Sequence, residues 1–158
     1  MKLRNILVIA SFAVVGCVSV RDLQTTTSTA RLSKADSLKQ DREVHVNQVM
    51  ASIKGTEQKP VEEVFGNLTE LGGFPAENLV VAMNKWAEGL GVSCGHCHNT
   101  KSFASDEKNA KDVARQMIRM NNRINDELLK TVTGLKSASP RVNCITCHRG
   151  TLKPSLRL

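Results

Sequence analysis

The first hydrophobic group along the chain is Ile6 to Val15, ten apolar or small residues broken only by Ser11 and preceded by Lys2 and Arg4. A membrane span takes about 20 apolar residues and an export signal about 7–15, so residues 1–16 read as a signal segment. From Val18 to about Gln40 the chain is polar and rich in Ser and Thr, the composition of a solvated tether. Val46, Val49, Met50 and Ile53 then return at helical spacing and allow a short helix around 36–53, inside a tether taken as 17–58. A compact domain is expected over 59–158, with three helices. The first has Pro60 at its start and Val61, Val64, Phe65, Leu68 and Leu71 on one face, and ends at Gly72-Gly73. The second opens at Pro75 and carries Leu79, Val80, Met83, Trp86, Ala87 and Leu90 at a period of about 3.6. The third starts after Ser105, an N-cap type followed by Asp106-Glu107, and runs through Val113, Ala114, Met117, Met120, Ile124, Leu128 and Val132 to Gly134. No stretch alternates with period two for long enough to make a sheet. The predicted class is all-α.

Composition adds one constraint. The 158 residues hold only one Trp, four Phe and no Tyr. With Phe12 in the leader, Phe65, Phe74, Trp86 and Phe103 are left for the core. Such a core is either aliphatic or takes a large apolar surface from a group that is not protein. The length allows one domain with short additions, which excludes a multidomain machine and a polytopic membrane protein. Lys and Arg total 22 against 15 Asp and Glu. A basic chain attracts nucleic acid in principle, but the export signal argues against that partner.

The leader ends in Val14-Val15-Gly16-Cys17, which resembles a bacterial lipobox. Acylated Cys17 would hold the mature chain to a membrane on the periplasmic side, with its body in water. Thiols in an oxidising compartment are paired or otherwise consumed, and four remain: Cys94, Cys97, Cys144 and Cys147. They lie in Cys94-Gly95-His96-Cys97-His98 and Cys144-Ile145-Thr146-Cys147-His148, two copies of C-x-x-C-H, the attachment signature of c-type haem. Thiols at this spacing reach the two vinyl groups of one porphyrin, and the next residue is a histidine able to bind its iron. The alternative of a four-cysteine zinc ribbon fails on spacing. Cys97 and Cys144 stand 47 positions apart, against a usual ~15–20. Two covalent haems also account for the missing aromatics.

The ligand opposite each histidine separates a carrier from an enzyme. Met83 lies eleven residues before Cys94 on the apolar face of the second helix. By spacing it suits an axial thioether facing His98 and core packing equally well. Met117 and Met120 offer the same choice to the second haem, and only one of them can bind its iron. His45 would reach an iron only if the tether folds back. His96, between two thioether cysteines, points away from the iron.

These residues together resemble the photosynthetic reaction centre cytochrome c subunit family, in a two-haem, half-length form. The likeness runs from Val61 to Pro154. It is carried by Met83, by Leu90-Gly91-Val92-Ser93-Cys94 through Phe103, by Ala114-Arg115-Gln116-Met117 through Asn125, and by Val142-Asn143-Cys144 through Gly150. The resemblance implies helix–turn–C-x-x-C-H units packed around two haems. It makes Met83 the ligand opposite His98 and favours Met117 over Met120 opposite His148. Lipid anchoring is similar to members of that family. The family subunit carries four haems, so docking onto a reaction centre does not follow for a chain with two motifs.

The expectation is therefore a lipid-anchored cytochrome passing single electrons between redox proteins, rather than an enzyme. Lys108, Lys111, Arg115, Arg119 and Arg123 along the third helix would either meet solvent and haem propionates or dock an acidic partner. The rivals are a dihaem peroxidase and a haem-based sensor, each needing one open iron position.

Overall fold

A computed structural model describes residues 33–155. The signal segment 1–16 and Cys17 lie outside them. Ser33 opens the first helix by accepting the Asp36 backbone N–H at 3.2 Å, and α1 runs Lys34–Ser52. Val46, Val49 and Met50 pack against a core of Ile53, Ala76 and Val80. The helix expected around 36–53 is present, but it does not belong to a tether: α1 lies in the same compact unit as both C-x-x-C-H segments. The boundary at 58 is thus corrected. Polar composition concealed a narrow stripe, and periodicity, not average polarity, decides whether a helix has a face to bury.

The next helix is far shorter than its pattern suggests: α2 spans only Val61–Val64. Phe65 turns extended, and Asn67 takes a left-handed φ of 62°. Two backbone bonds, Val61 N–H to Phe74 O and Ala76 N–H to Lys59 O, both 3.0 Å, clip Pro60 to Pro75 and force the chain between them into a loop. The Glu62 carboxylate closes that loop by accepting the Gly73 N–H at 2.7 Å. Leu68 and Leu71 recur at helical spacing because both face one cavity from the loop.

Helix α3 matches its prediction, running Ala76–Leu90 after Pro75 with Glu77 in its first turn. Gly91 stops it at φ 63°, with its own N–H bonded to Glu88 O and that of Val92 to Ala87 O, both at 3.0 Å. A short 3₁₀ turn, Cys94–His96, follows. Helix α4 spans Asn109–Arg123, starting later than the Ser105 cap predicted. The carbonyls of Phe103, Ala104 and Ser105 accept the Lys111 ammonium at 3.0, 2.9 and 2.9 Å, so a side chain takes the place of a first helical turn. Beyond Arg123 the chain widens into a π-turn at Ile124–Leu128 and a 3₁₀ turn at Leu129–Thr131. The π-turn carries the buried Asn125, whose amide clasps Val142, accepting the N–H at 2.8 Å and donating to the carbonyl at 2.9 Å.

Helix α5, Cys144–His148, is five residues held by a capping box, with Asn143 accepting Thr146 N–H at 3.2 Å and Thr146 accepting Asn143 N–H at 3.1 Å. It packs on the end of α3, where Gly150 N–H bonds Gly89 O at 2.9 Å. Among the described residues there is no strand, only isolated bridges at Pro60–Pro75 and Asn99–Ser102. The fold is all-α.

Candidate haem sites

One face of α3, the loop 65–71 and one face of α4 enclose a cavity of about 380 Å³. Met83, Cys94, Cys97 and His98 all stand in its wall, with Leu79, Val80 and Trp86 supplying apolar surface. Four residues named from sequence alone thus share one enclosure. The His98 ring is oriented from behind: its Nδ1–H donates to Phe103 O at 3.1 Å, which leaves the lone pair on Nε2. Burial holds its pKa below the usual imidazole range, so the ring is neutral and able to bind metal. Burial likewise pushes the Cys94 and Cys97 thiols up, and the nearby Asp41 carboxylate adds to the effect at Cys94.

Helix α1 supplies two residues that sequence reasoning missed, Asp41 and Arg42, beside His45, which it had named. Asp41 accepts the Cys94 backbone N–H at 3.2 Å, and the buried Arg42 donates to Val92 O at 3.3 Å, so one turn of α1 clasps the stretch of chain leading into the first motif. His45 lies in the cavity wall, its ring edge-on to Phe103 at 6.2 Å, while Phe103 leans on His98 at 5.3 Å. Asp41, Arg42 and His45 fall on one side of α1, with Val46 and Val49 continuing it; that spacing was the available signal.

A second clasp closes the other end. Asp106 accepts bonds from Asn67 at 2.8 Å, Arg115 at 3.0 Å and Lys111 at 3.2 Å. These partners, Asn67 first, hold its pKa down to about 2 against an ordinary 3.8. The folded pKa is depressed, so whatever Asp106 contributes to stability is fully present above about pH 5 and disappears as pH falls from about 4 to about 2. An Asp106→Asn chain is therefore expected to be less stable than the native chain at neutral pH and to converge with it near pH 2. Urea titrations at stepped pH read this, and a gap that stays constant down to pH 2 would reject the clasp.

Lys108, which precedes α4, and the basic residues of α4 all have partners. Lys108 donates to Gly95 O, Lys111 and Arg115 to the Asp106 clasp, Arg119 to Glu70, and Arg123 to Glu127 at 3.1 Å. Arg119 and Arg123 still reach solvent, with side chains 54% and 72% exposed, but each carries an acidic partner.

The second motif is set differently. His148 is buried and donates Nδ1–H to Thr151 O at 3.1 Å, repeating the arrangement at His98. Cys144 is half-buried and Cys147 exposed. Met117 and Met120 are 38% and 49% exposed beside Val113, on a flank of α4 distinct from the Lys111, Ala114, Arg115 and Ile118 face that lines the first cavity. The structure thus encloses the first candidate set and leaves both methionines of the second on an open apolar flank. Among the described residues no three His, Cys, Asp or Glu side chains converge to hold a metal ion.

The family model for the photosynthetic reaction centre cytochrome C subunit matches residues 20–156. The chain belongs to this family. Its members are c-type cytochromes, which bind haem c covalently. Cytochrome c-554 of Chloroflexus aurantiacus is 35% identical over 83 residues, 52% of this chain and 20% of that protein. The reaction center cytochrome c subunit of Rubrivivax gelatinosus is 28% identical over 127 residues, 74% of this chain and 31% of that protein. Its counterpart in Roseobacter denitrificans is 33% identical over 103 residues, 60% and 26% of the two chains. The chain therefore spans between about a fifth and a third of the length of these relatives. Its donor sets fit the family's cofactor: each site has two thiols and one histidine whose Nδ1 is already bonded away from the metal side. No described helix is long and apolar enough to cross a membrane.

Proposed function

We propose that the chain is a dihaem c-type cytochrome, held to the periplasmic face of a membrane by acylated Cys17, that passes single electrons between redox proteins. One observation carries the reading: a single apolar cavity whose wall contains Met83, Cys94, Cys97 and His98. Haem c would supply a one-electron iron couple when bound. The chain does the rest. Cys94 and Cys97 would anchor the first group, and His98 and Met83 would hold its iron. Cys144, Cys147 and His148 would hold the second, with Met117, the resemblance's choice, binding its iron ahead of Met120. A methionine ligand raises the potential, and two filled axial positions suit electron transfer over substrate chemistry.

The test counts haems by pyridine haemochrome in the chain matured with c-type haem assembly, then in the Cys144→Ala/Cys147→Ala chain. The expected result is two haems falling to one, with the near-infrared band of Met-ligated ferric haem at full strength in the native chain. Half that band, with carbon monoxide binding to the reduced protein, would leave one iron open and favour a peroxidase or a sensor. A single haem in the native chain would overturn the dihaem reading.

A further inference from the structure

Residues 128–158 contain six basic residues and no Asp or Glu. Residues 1–127 hold the other 16 Lys and Arg against all 15 Asp and Glu. Nearly all of the chain's net charge of +7 therefore belongs to the stretch that carries the second C-x-x-C-H. Sequence position alone does not make a surface, but the structure leaves these charges exposed. Five of the six, Lys130, Lys136, Arg141, Arg149 and Lys153, are described, and all five are exposed. None of them forms an ion pair among the described residues, whereas Lys111, Arg115, Arg119 and Arg123 of α4 each have an acidic partner.

Two sets of bonds fix where the free cations stand. Asn125 clasps Val142, which brings Arg141 beside the turns that follow α4; Lys130 and Arg141 then line one cavity of about 580 Å³, with Asp126 as the acid in its wall. After α5, the Thr151 hydroxyl bonds the carbonyls of His148 at 2.8 Å and Lys153 at 2.9 Å, which ties down the turn carrying Arg149 and Lys153. The same stretch exposes apolar side chains, Ile145 at 53% and Leu152 at 48%, and Cys147. Exposed apolar groups among unpaired charges of one sign suit brief, oriented contact. The apolar groups shed water on contact, and the charges steer encounter and reject partners of like charge.

We propose that this end of the molecule, around α5, is the docking surface for an acidic one-electron redox protein, so that electrons enter or leave through the second C-x-x-C-H site. The proposal rests on the dihaem reading above. One electron crosses the contact, the donor being oxidised by one as the acceptor is reduced by one, and no bond forms or breaks. A membrane of anionic lipid would also feel the charge, but the exposed Ile145 and Leu152 sit on a five-residue helix and a tied turn, too short an apolar element for insertion.

The full chain, loaded with haem and counted by pyridine haemochrome, is titrated calorimetrically with flavodoxin, an acidic flavoprotein, at about 10 and about 150 mM ionic strength, where the Debye length falls from ~30 to ~8 Å. The triple variant Lys130→Gln/Lys136→Gln/Lys153→Gln spares the haem ligands and their neighbours. Its control, Lys34→Gln/Lys39→Gln/Lys85→Gln, removes the same charge from exposed positions on α1 and α3. The native Kd is expected to weaken roughly tenfold at the higher salt. The first variant should lose about tenfold at low salt while the control stays within about twofold. A Kd indifferent to salt overturns the proposal, as does a control that weakens as much as the variant. If the variant loses binding to phosphatidylglycerol vesicles but keeps flavodoxin, the surface is a membrane contact and the proposal is again wrong. A preparation with one haem instead strikes the dihaem reading, whatever the Kd.

Discussion

A Gly91→Ala chain is expected to melt at least roughly 10 °C below the native protein, a large loss for the addition of one methyl group. Two independent constraints meet at this residue. Its φ of 63° ends α3, a conformation that costs an L-residue roughly 1–2 kcal/mol. A Cβ there would also lie 1.9 Å from Gly150 O, a backbone atom that no rotamer change can move aside. The backbones must separate, which breaks the 2.9 Å bond from Gly150 N–H to Gly89 O, worth about 1 kcal/mol, and opens the contact of α5 on α3. Asn tolerates left-handed φ but has a Cβ, so Gly91→Asn should fare little better. Gly134 is the control: its φ is 81° and a Cβ added there would meet nothing within 4 Å, so Gly134→Ala pays only for conformation, about 1 kcal/mol. Differential scanning calorimetry of the two variants separates close approach from backbone strain. Equal melting temperatures would show that the α3–α5 contact is not held by this glycine. The position matters because the first C-x-x-C-H begins just after Gly91, at Cys94, and the second ends at His148, just before Gly150. This one contact therefore sets one motif against the other.

How much of this was readable in advance depended on the kind of constraint. The cysteine–histidine motifs were legible because each is a five-residue pattern whose spacing does not depend on what surrounds it, and the apolar face of α3 explains why Met83 stands in the cavity that Cys94, Cys97 and His98 also line. Helix α3 was legible because an initiating proline, an apolar period and a terminating glycine agreed. The loop 65–71 was not, since Leu68 and Leu71 keep helical spacing while facing a cavity from a non-helical backbone, and only the remote Pro60–Pro75 clip reveals it. Helix α1 was half legible: its stripe was visible, but its task at Cys94 depends on Asp41, a polar residue whose partner lies 53 positions away. The partners of the basic residues of α4 were hidden for a related reason. Charge runs are visible in sequence, whereas Glu70, Asp106 and the carbonyls that absorb them are scattered through loops.

Met83→Leu is expected to leave the fold in place and change the electronics of one site. Leucine matches methionine in volume, and such swaps usually cost under about 1.5 kcal/mol, so Tm should scarcely move. If Met83 is the axial ligand, the variant loses about half of the near-infrared band, gains carbon monoxide binding at one iron, and its first haem drops in potential by on the order of 0.1 V, within the ~0.8 V range that axial ligands command. If Met83 only packs, none of these moves, because leucine packs as well. Met117→Leu and Met120→Leu extend the comparison to the second site, where both side chains lie on the exposed flank and packing losses are small. One of that pair should remove the other half of the band and the other should be silent, with Met117 the expected ligand. Spectroelectrochemistry on the three chains reads all of this at once. A band that survives every one of the three substitutions would mean that methionine ligates neither iron, and the buried flank of α3 would then be core and nothing more.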